Sequence, residues 1–458
     1  MSKIKNHIGA VVMFAAFMFL YMTTYKVSAV RDFIPPEQQE LSYYIYQIFL
    51  IAGYLSFALV RGIVRGARGR RCAAAAALFV YGAGTLCALL TRSASVCFAA
   101  ASLAMLSLGH IGAMVYYRMS CALSAGRKAG AVMGIAFSAA VLMQYLFQPP
   151  TGSAPLLPYV MLISFAALGC VLLRSDAELT GGTEAEGNVG RAVVCAVIVT
   201  AAFALFNSFY DGYIHQKQIA TGYTEYNVFQ WPRLTVIPVY LALGFLDGVK
   251  SGKYIPIVSL CIMAAALMQS VLIGTGEAYT LNMCLFYVTI AASISYYNLV
   301  FWRLAPKTKH PELTAVLGRP VAAAAEVILG FAHFSELSMT AALALDIVCL
   351  VLVIIVMAVN GDLTLSASEP SAEVSAPSKA VTPEEALDAL QKRFTLTPAE
   401  TKLLRELVTT EDKQAVIAER LGVKVGTVQY HTTSIYRKTN ASTRAGLSSL
   451  YHDALRGE

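Results

Sequence analysis

Charge is what this chain has least of. Only 14% of its 458 residues are Asp, Glu, Lys or Arg, against roughly 25% in an ordinary soluble domain, while 57% are hydrophobic. That deficit excludes a wholly water-soluble protein and puts most of the chain in lipid. Paired cysteines are missing too. Cys72, Cys87, Cys97, Cys121, Cys170, Cys195, Cys261, Cys284 and Cys349 lie in or beside apolar runs, and none forms a CxxC pair. This argues against a disulfide framework and a zinc site, and for small packing residues in helices. No nucleophile elbow, P-loop, HExxH, kinase or receiver-type signature occurs, so neither an enzyme nor a cofactor is expected. The basic start is followed by an apolar run too long for a cleavable signal peptide, and reads as a first membrane helix.

What is present is a succession of apolar stretches near the 20 or so residues that cross a bilayer as a helix. Twelve are expected: Ile8–Val30, Tyr43–Val60, Cys72–Leu90, Val96–Tyr117, Ala129–Gln148, Leu156–Leu173, Ala192–Ile214, Leu234–Val249, Tyr254–Gly274, Tyr279–Trp302, Val316–Phe334 and Met339–Asn360. With the N-terminus in the cytoplasm, the inner segments hold Lys3, Lys5, Arg61, Arg65, Arg68, Arg70, Arg71, Arg118, Arg127, Lys128, Arg174, Arg191, Lys250, Lys253, Arg303, Lys307, Lys309 and Arg319. The outer segments hold only Arg31, Arg92, Lys217 and Arg233. The positive-inside rule favours this orientation. An even number of spans then returns the C-terminus to the cytoplasm, so a multi-pass protein of the cytoplasmic (inner) membrane is expected.

The spans divide into halves at 1–173 and 192–360, separated by a Gly- and acid-rich loop, 174–191. Two six-span halves with a cytoplasmic middle loop resemble the major facilitator transporter fold. Between the second and third spans, Gly62, Gly69, Arg70 and Arg71 match that family's glycine-rich loop. Its acidic position is occupied here by Gly66. The resemblance implies a transporter-like bundle, and the missing acid leans the reading from transport towards sensing.

Ionisable residues inside spans are costly and mark function by default. They are His110, Asp211, Asp247, Glu326, His333 and Asp346, with Lys26 near a span end. Glu326 and His333 share a helix face, as do Asn207 and Asp211. Gln144, Tyr145, Tyr296, Tyr297 and Asn298 add neutral polar groups. The expectation is a ligand pocket between the halves, drawn from Gln144, Asn207, Asp211, Tyr297, Glu326, His333 and Asp346, for an unidentified small molecule. Asp247 and Lys26 are expected to be solvated at the membrane interface.

The character of the chain changes after Asn360. Residues 361–393 are rich in Ser, Ala, Pro and Glu and read first as a disordered linker, then as a short helix from Thr382. About 20 disordered residues reach only ~25 Å, so whatever follows works close to the bilayer. In 394–458, Thr397-Pro398-Ala399-Glu400 is a capping-box start. Leu403, Leu404 and Leu407 form one face. A second helix, Lys413–Leu421, points Val416, Ile417, Ala418 and Leu421 inward and ends at Gly422. A third runs from about Gly426 to Thr439, and a fourth is capped by Ser442.

Two helices joined by a tight glycine turn form a DNA-reading arrangement. The segments LTPAE, IAERLGV, GTVQYHTTSIYRK and NASTRA make residues 394–458 resemble the LuxR-type (GerE-like) four-helix DNA-binding domain. That resemblance implies a bacterial transcription regulator that binds double-stranded promoter DNA as a homodimer, with RNA polymerase a further candidate partner. It assigns Gln429, Tyr430 and Thr433 to base edges, and Thr427, His431, Lys438, Ser442 and Arg444 to the DNA backbone; Lys424, a departure from the family, can meet phosphate by its own charge. Glu400 would brace the fold. The family usually has lysine at Gln429, a Ser or Thr cap at Lys424 and often asparagine at Ser434. Nine Lys and Arg against seven acids in 394–458 imply weak DNA affinity per monomer. The fold expected is all-α: a two-half membrane bundle plus a C-terminal helix-turn-helix domain. The function expected is a membrane-embedded regulator sensing a small molecule or membrane state, with membrane lipid a further partner; the alternative is a facilitator-type transporter carrying a regulatory domain.

Overall fold

In the computed structural model, residues 2–29, 34, 36–64, 66–123, 129–148, 154–174, 187–221, 231–248, 254–272, 279–332, 337–360, 383–410, 412, 414–439, 441 and 444–455 are described. All elements among them are helical, and the chain forms two units, Met1–Ser368 and Glu369–Glu458.

The first unit contains α1 (Ser2–Ala29), α2 (Pro36–Ile63), α3 (Ala67–Leu90), α4 (Ala94–Leu123), α5 (Ala129–Phe147) and α6 (Leu157–Arg174). After the middle loop come α7 (Gly187–Thr221), α8 (Val236–Leu246), α9 (Ile255–Leu272), α10 (Tyr279–Leu304), the single turn α11 (Pro311–Thr314), α12 (Gly318–Phe331) and α13 (Met339–Asn360). A helix lies in each of the twelve apolar stretches. Among the described residues, however, nine are long and apolar enough to cross a membrane, not twelve. The stretches 231–246 and 255–270 are shorter, and α12 has 14 residues. Proline explains part of this. Pro232 sits in a 3-10 turn, Trp231–Thr235, that precedes α8, and Pro311 opens the separate turn α11.

Small residues let these helices approach closely. At the α5–α8 crossing, a Cβ on Gly134 would lie 2.4 Å from the Tyr240 carbonyl oxygen, and one on Gly244 2.4 Å from that of Gly130. Gly53 and Gly109 do the same for α2 and α4. Such contact, rather than hydrophobic burial, holds helices together in lipid. Where α1, α4, α5 and α10 meet, Phe14 packs edge-to-face on Tyr116, Phe137 and Trp302 at 5.7, 5.1 and 5.3 Å between ring centres. The two sets of helices, α1–α6 and α7–α13, meet along α2–α12, α5–α8 and α4–α10.

The second unit has its own core. It contains α14 (Pro383–Phe394), α15 (Pro398–Thr409), α16 (Gln414–Leu421), α17 (Val425–Thr439) and α18 (Arg444–Leu455). Ala386, Leu387, Leu390, Leu403, Leu404, Leu407, Ile417, Val428, Ile435, Leu447 and Tyr451 are buried together. One expectation fails: Val416 is 44% exposed, because Ile417 and Ala418 already fill the inward arc of this eight-residue helix.

Candidate functional site

The second unit is organised by Glu400. Thr397 has an extended backbone and begins α15 with Pro398 at N1. Its hydroxyl accepts the Glu400 N–H at 3.3 Å, and its own N–H donates to Glu400 Oε2 at 2.7 Å, completing the capping box. The same carboxylate accepts from Ser434 Oγ and Lys438 Nζ, each at 2.7 Å. It thus ties the start of α15 to α17. Burial opposes its charge, but the bonds from Lys438, Thr397 and Ser434 win and pull the carboxyl down to about 2.

Between α16 and α17 the turn is made by Gly422, whose φ is +67. Its N–H donates to the Glu419 carbonyl at 3.1 Å, and that of Val423 to Ala418 at 3.0 Å, a Schellman closure that favours glycine. On α17, Val428, Thr432, Ile435 and Thr439 are buried at helical spacing. The opposite face presents Gln429, Tyr430 and Thr433, all exposed, with Tyr430 at 73%. Lys424 and Thr427, at the head of the helix, are exposed, and His431 is half-buried with its ring 5.5 Å from that of Tyr430. Thr433 Oγ1 donates to the Gln429 carbonyl at 3.0 Å.

Two residues assigned to DNA phosphate have other work. Arg444 Nε donates to the Leu407 carbonyl at 2.8 Å and Nη1 to that of Asp412 at 2.6 Å, while Nη2 reaches the Thr410 carbonyl. It ties the first turn of α18 to carbonyls at and just beyond the end of α15, which occupy its guanidinium. Lys438 is held by Glu400 and the Thr395 carbonyl. Ser442 lies outside the described residues. We expect Arg444→Ala to lower the stability of this unit by about 1–2 kcal/mol, visible as an earlier thermal transition. An unchanged transition would return Arg444 to the surface. Sequence reasoning also missed Arg420, which bridges Glu406 at 2.6 Å and Asp412 at 2.5 Å.

In the first unit the described members of the expected pocket are held in two hydrogen-bonded groups, with Gln144 bonded on its own helix. The central region is built on Arg319 of α12, a residue first counted only as an inner-face anchor. Arg319 pairs with Glu326 at 3.3 Å, one face of the same helix, and donates to the Tyr21 hydroxyl of α1. Its guanidinium also lies 5.3 Å from the Tyr21 ring centre. Gln47 of α2 donates to the other Glu326 oxygen at 3.4 Å. Tyr297 packs against this turn, since a Cβ on Gly318 would meet its ring at 2.8 Å. The Arg319 Nε–H is buried without a partner. His333, expected beside Glu326, lies outside the described residues.

The second region lies among α7, α9, α10 and α13. Asn207 donates to Ser293 at 2.7 Å, and Ser270 to the Tyr210 hydroxyl at 3.0 Å. Asp346 is fully buried and both its oxygens lack a donor; it faces Tyr210 electrostatically. Asp211 is half-buried. Gln144 donates to Gln148 Oε1 on its own helix at 2.9 Å.

Asp247 corrects the sequence reading most clearly. Expected to be solvated, it is 2% exposed. It pairs with Arg303 at the end of α10 and accepts the Gly130 N–H at the start of α5 at 2.9 Å. The side chain of Lys26 is outside the described residues. His110 bonds Ser56 Oγ through Nδ1 at 2.8 Å. Among the described residues no group of three or more His, Cys, Asp or Glu is placed to hold a metal ion.

The chain is similar to the crystal structure of a bacterial homologue of the iron transporter ferroportin in the outward-facing state. Identity is 16%, the TM-score is 0.55, and the match covers 79% of this chain and 98% of that one. The first unit is a transporter-like membrane bundle. The same homologue with soaked iron matches equally, at 16% identity and TM-score 0.55 over 79% of this chain and 99% of that one. No protein-family model and no curated protein matches the chain. At this identity the likeness shows the fold alone, and the nine helices long and apolar enough to cross a membrane among the described residues fit a multi-pass chain.

Proposed function

We propose that this protein is a membrane-embedded transcription regulator. Its transporter-like unit senses a small molecule, and its C-terminal unit binds double-stranded promoter DNA. The observation that carries the reading is the α16–α17 pair. A glycine-closed turn fixes two short helices, and the second buries Val428, Thr432 and Ile435 while presenting Gln429, Tyr430 and Thr433 on an open face. A side-chain amide there can pair bidentately with adenine. Lys424 and Thr427 at the head of α17 and His431 beside it suit backbone contacts. The LuxR-type motifs support a homodimer, with RNA polymerase as a further partner. The basic inner segments support a cytoplasmic membrane location with both termini in the cytoplasm.

For the sensed molecule, the Arg319 cluster favours a small organic anion. A buried guanidinium whose Nε–H lacks a partner, flanked by Tyr21 and Tyr297, offers a charge-assisted donor and aromatic walls. Binding there would act across α1, α2 and α12, where the two sets of helices meet. Its effect on the C-terminal unit is bounded by its differential affinity for two arrangements of the bundle.

A gel-shift titration of the full chain on its own upstream DNA tests the regulator. Gln429→Ala should relax discrimination at one base step by about tenfold. Lys424→Ala should weaken all sequences alike and reduce the salt slope by about 1. Equal binding to upstream and random DNA, unaffected by either change, overturns the reading. The likeness to a transporter favours a second one, a facilitator with an attached regulator. Saturable uptake of an organic anion into proteoliposomes, lost in Arg319→Gln, would establish it.

A further inference from the structure

The Arg319 cluster holds two buried polar atoms of opposite kind without a bond. Among the described residues the Arg319 Nε–H has no acceptor and Gln47 Oε1 has no donor. Both side chains are joined to one carboxylate. Glu326 Oε1 accepts from Arg319 Nη1 at 3.3 Å, and Glu326 Oε2 from Gln47 Nε2 at 3.4 Å. A carboxylate only accepts, so the Gln47 amide turns its nitrogen to Glu326 and its oxygen away. The Tyr21 and Tyr43 hydroxyls lie near this amide, but neither bonds its oxygen. Buried donors and acceptors are almost always paired, so an orphan of each kind in one cluster calls for an occupant that both accepts and donates.

A simple carboxylate meets only half of that demand. It would satisfy Arg319 and leave Gln47 Oε1 alone. It would also bring a second negative charge beside Glu326, whose own charge is already set against Arg319. A ligand with an ammonium as well as a carboxylate satisfies both orphans and keeps the charges matched. Glu326 can take part. Its two bonds exceed the ~2.8 Å of a good charge-assisted bond, and its side chain is 30% exposed, so it is free to turn to a third donor. The walls are aromatic. The Tyr21 ring lies 5.3 Å from the guanidinium and stacks on Phe17 at 6.3 Å, and the Tyr297 ring covers Gly318.

We infer that the Arg319 cluster binds a zwitterionic amino acid with an aromatic side chain. Its carboxylate meets the Arg319 Nε–H, and its ammonium meets Gln47 Oε1 and Glu326. This rests on the reading of the cluster as the ligand site and makes the anionic group proposed there one end of a zwitterion. Such a ligand touches α1 and α2 from one set of helices and α12 from the other.

The test follows the thermal midpoint of the full chain in neutral detergent with three matched probes. Phenylalanine carries both charged groups, 3-phenylpropionate only the carboxylate, and phenethylamine only the ammonium. Phenylalanine should raise the midpoint at a concentration at least about tenfold below either analogue, the factor that one charge-assisted bond supplies. Glu326→Gln should weaken phenylalanine about thirtyfold and strengthen 3-phenylpropionate, because the repulsion is gone. A merely structural role for Glu326 would move both probes alike. Arg319→Gln should abolish the phenylalanine response; should that variant not fold, the isosteric Glu326→Gln still decides. A response to 3-phenylpropionate at lower concentration than to phenylalanine, lost in Arg319→Gln, overturns the zwitterion and keeps Arg319 as an anion site. A response led by phenethylamine, or equal weakening of both acids in Glu326→Gln, overturns the zwitterion too. No response to any probe, or an unchanged one in Arg319→Gln, overturns both readings of the cluster.

Discussion

Glu400→Ala should lower the stability of the C-terminal unit by about 3 kcal/mol, an expected fall of roughly 15 °C in its melting temperature for a unit of this size. The carboxylate is 3% exposed and accepts from the Thr397 N–H and hydroxyl, Ser434 and Lys438. Alanine removes the carboxylate half of the capping box and leaves Lys438 beside a cavity with no counter-charge. The pH dependence provides an independent check. The folded carboxyl lies at about 2, below its ordinary 4.5. A depressed pKa contributes stability that is complete above about 4.5 and is lost as pH falls towards about 2. Denaturation of residues 383–458 between pH 6 and 2 should therefore show a decline that Glu400→Gln abolishes. A parallel decline in wild type and variant, or an Ala variant that melts with the wild type, would remove Glu400 from this role.

That brace was legible in the chain because its core is local. Thr397 and Glu400 stand three apart before an apolar run, a spacing with one common structural meaning. Gly422 was legible for the same reason, since a glycine closing a helix needs only its own neighbours. Arg444 was not. Its partners are the carbonyls of Leu407, Thr410 and Asp412, which every residue carries, so no side-chain signature marks them. A motif can therefore place Arg444 near DNA while the fold uses it to close α15.

The membrane part divides in the same way. Apolar runs locate the helices, because the hydrocarbon thickness imposes one length scale. Charge counting located Arg319 in sequence but misjudged its surroundings. Arg319 and Tyr21 are 298 positions apart, and they meet only because α12 packs against α2, which in turn packs against α1. Glu326 was singled out correctly as an intramembrane acid, yet its partners Arg319 and Gln47 came from a count of inner charges and from an unremarked amide. Asp346 was grouped with Glu326 by chemistry alone; it lies on α13, which packs on α7 and α9, while Glu326 lies on α12, which packs on α7 and α2. Periodicity says which residues face inward; it does not say which inward faces share a cavity.

Asp247 gives the second large effect. Asp247→Ala should open the seam between α5, α8 and α10, with amide exchange at the first turn of α5 rising about a hundredfold. The carboxylate holds the Arg303 guanidinium with one oxygen and the Gly130 N–H with the other. It sits where the glycine crossing leaves no room for a larger group, a Cβ on Gly130 being only 2.2 Å from that of Asp247. Removing one partner of a buried pair costs about 3–5 kcal/mol, because Arg303 keeps its desolvation without its counter-charge. Part of that cost appears as local opening, and about 3 kcal/mol corresponds to a factor of more than a hundred. Asp247→Asn separates the two roles. An amide oxygen can still accept from Gly130, so exchange at α5 should rise far less, while the contact with Arg303 loses its charge. Comparable exchange in wild type and Asp247→Ala, measured on the full chain in nanodiscs, would mean that the glycine crossing alone holds the seam. The expected order, Ala well above Asn and Asn above wild type, would make Asp247 the residue that holds α5 of one set against α8 and α10 of the other at this end of the bundle. A ligand at Arg319, acting on the α2–α12 seam, would then have to work against it.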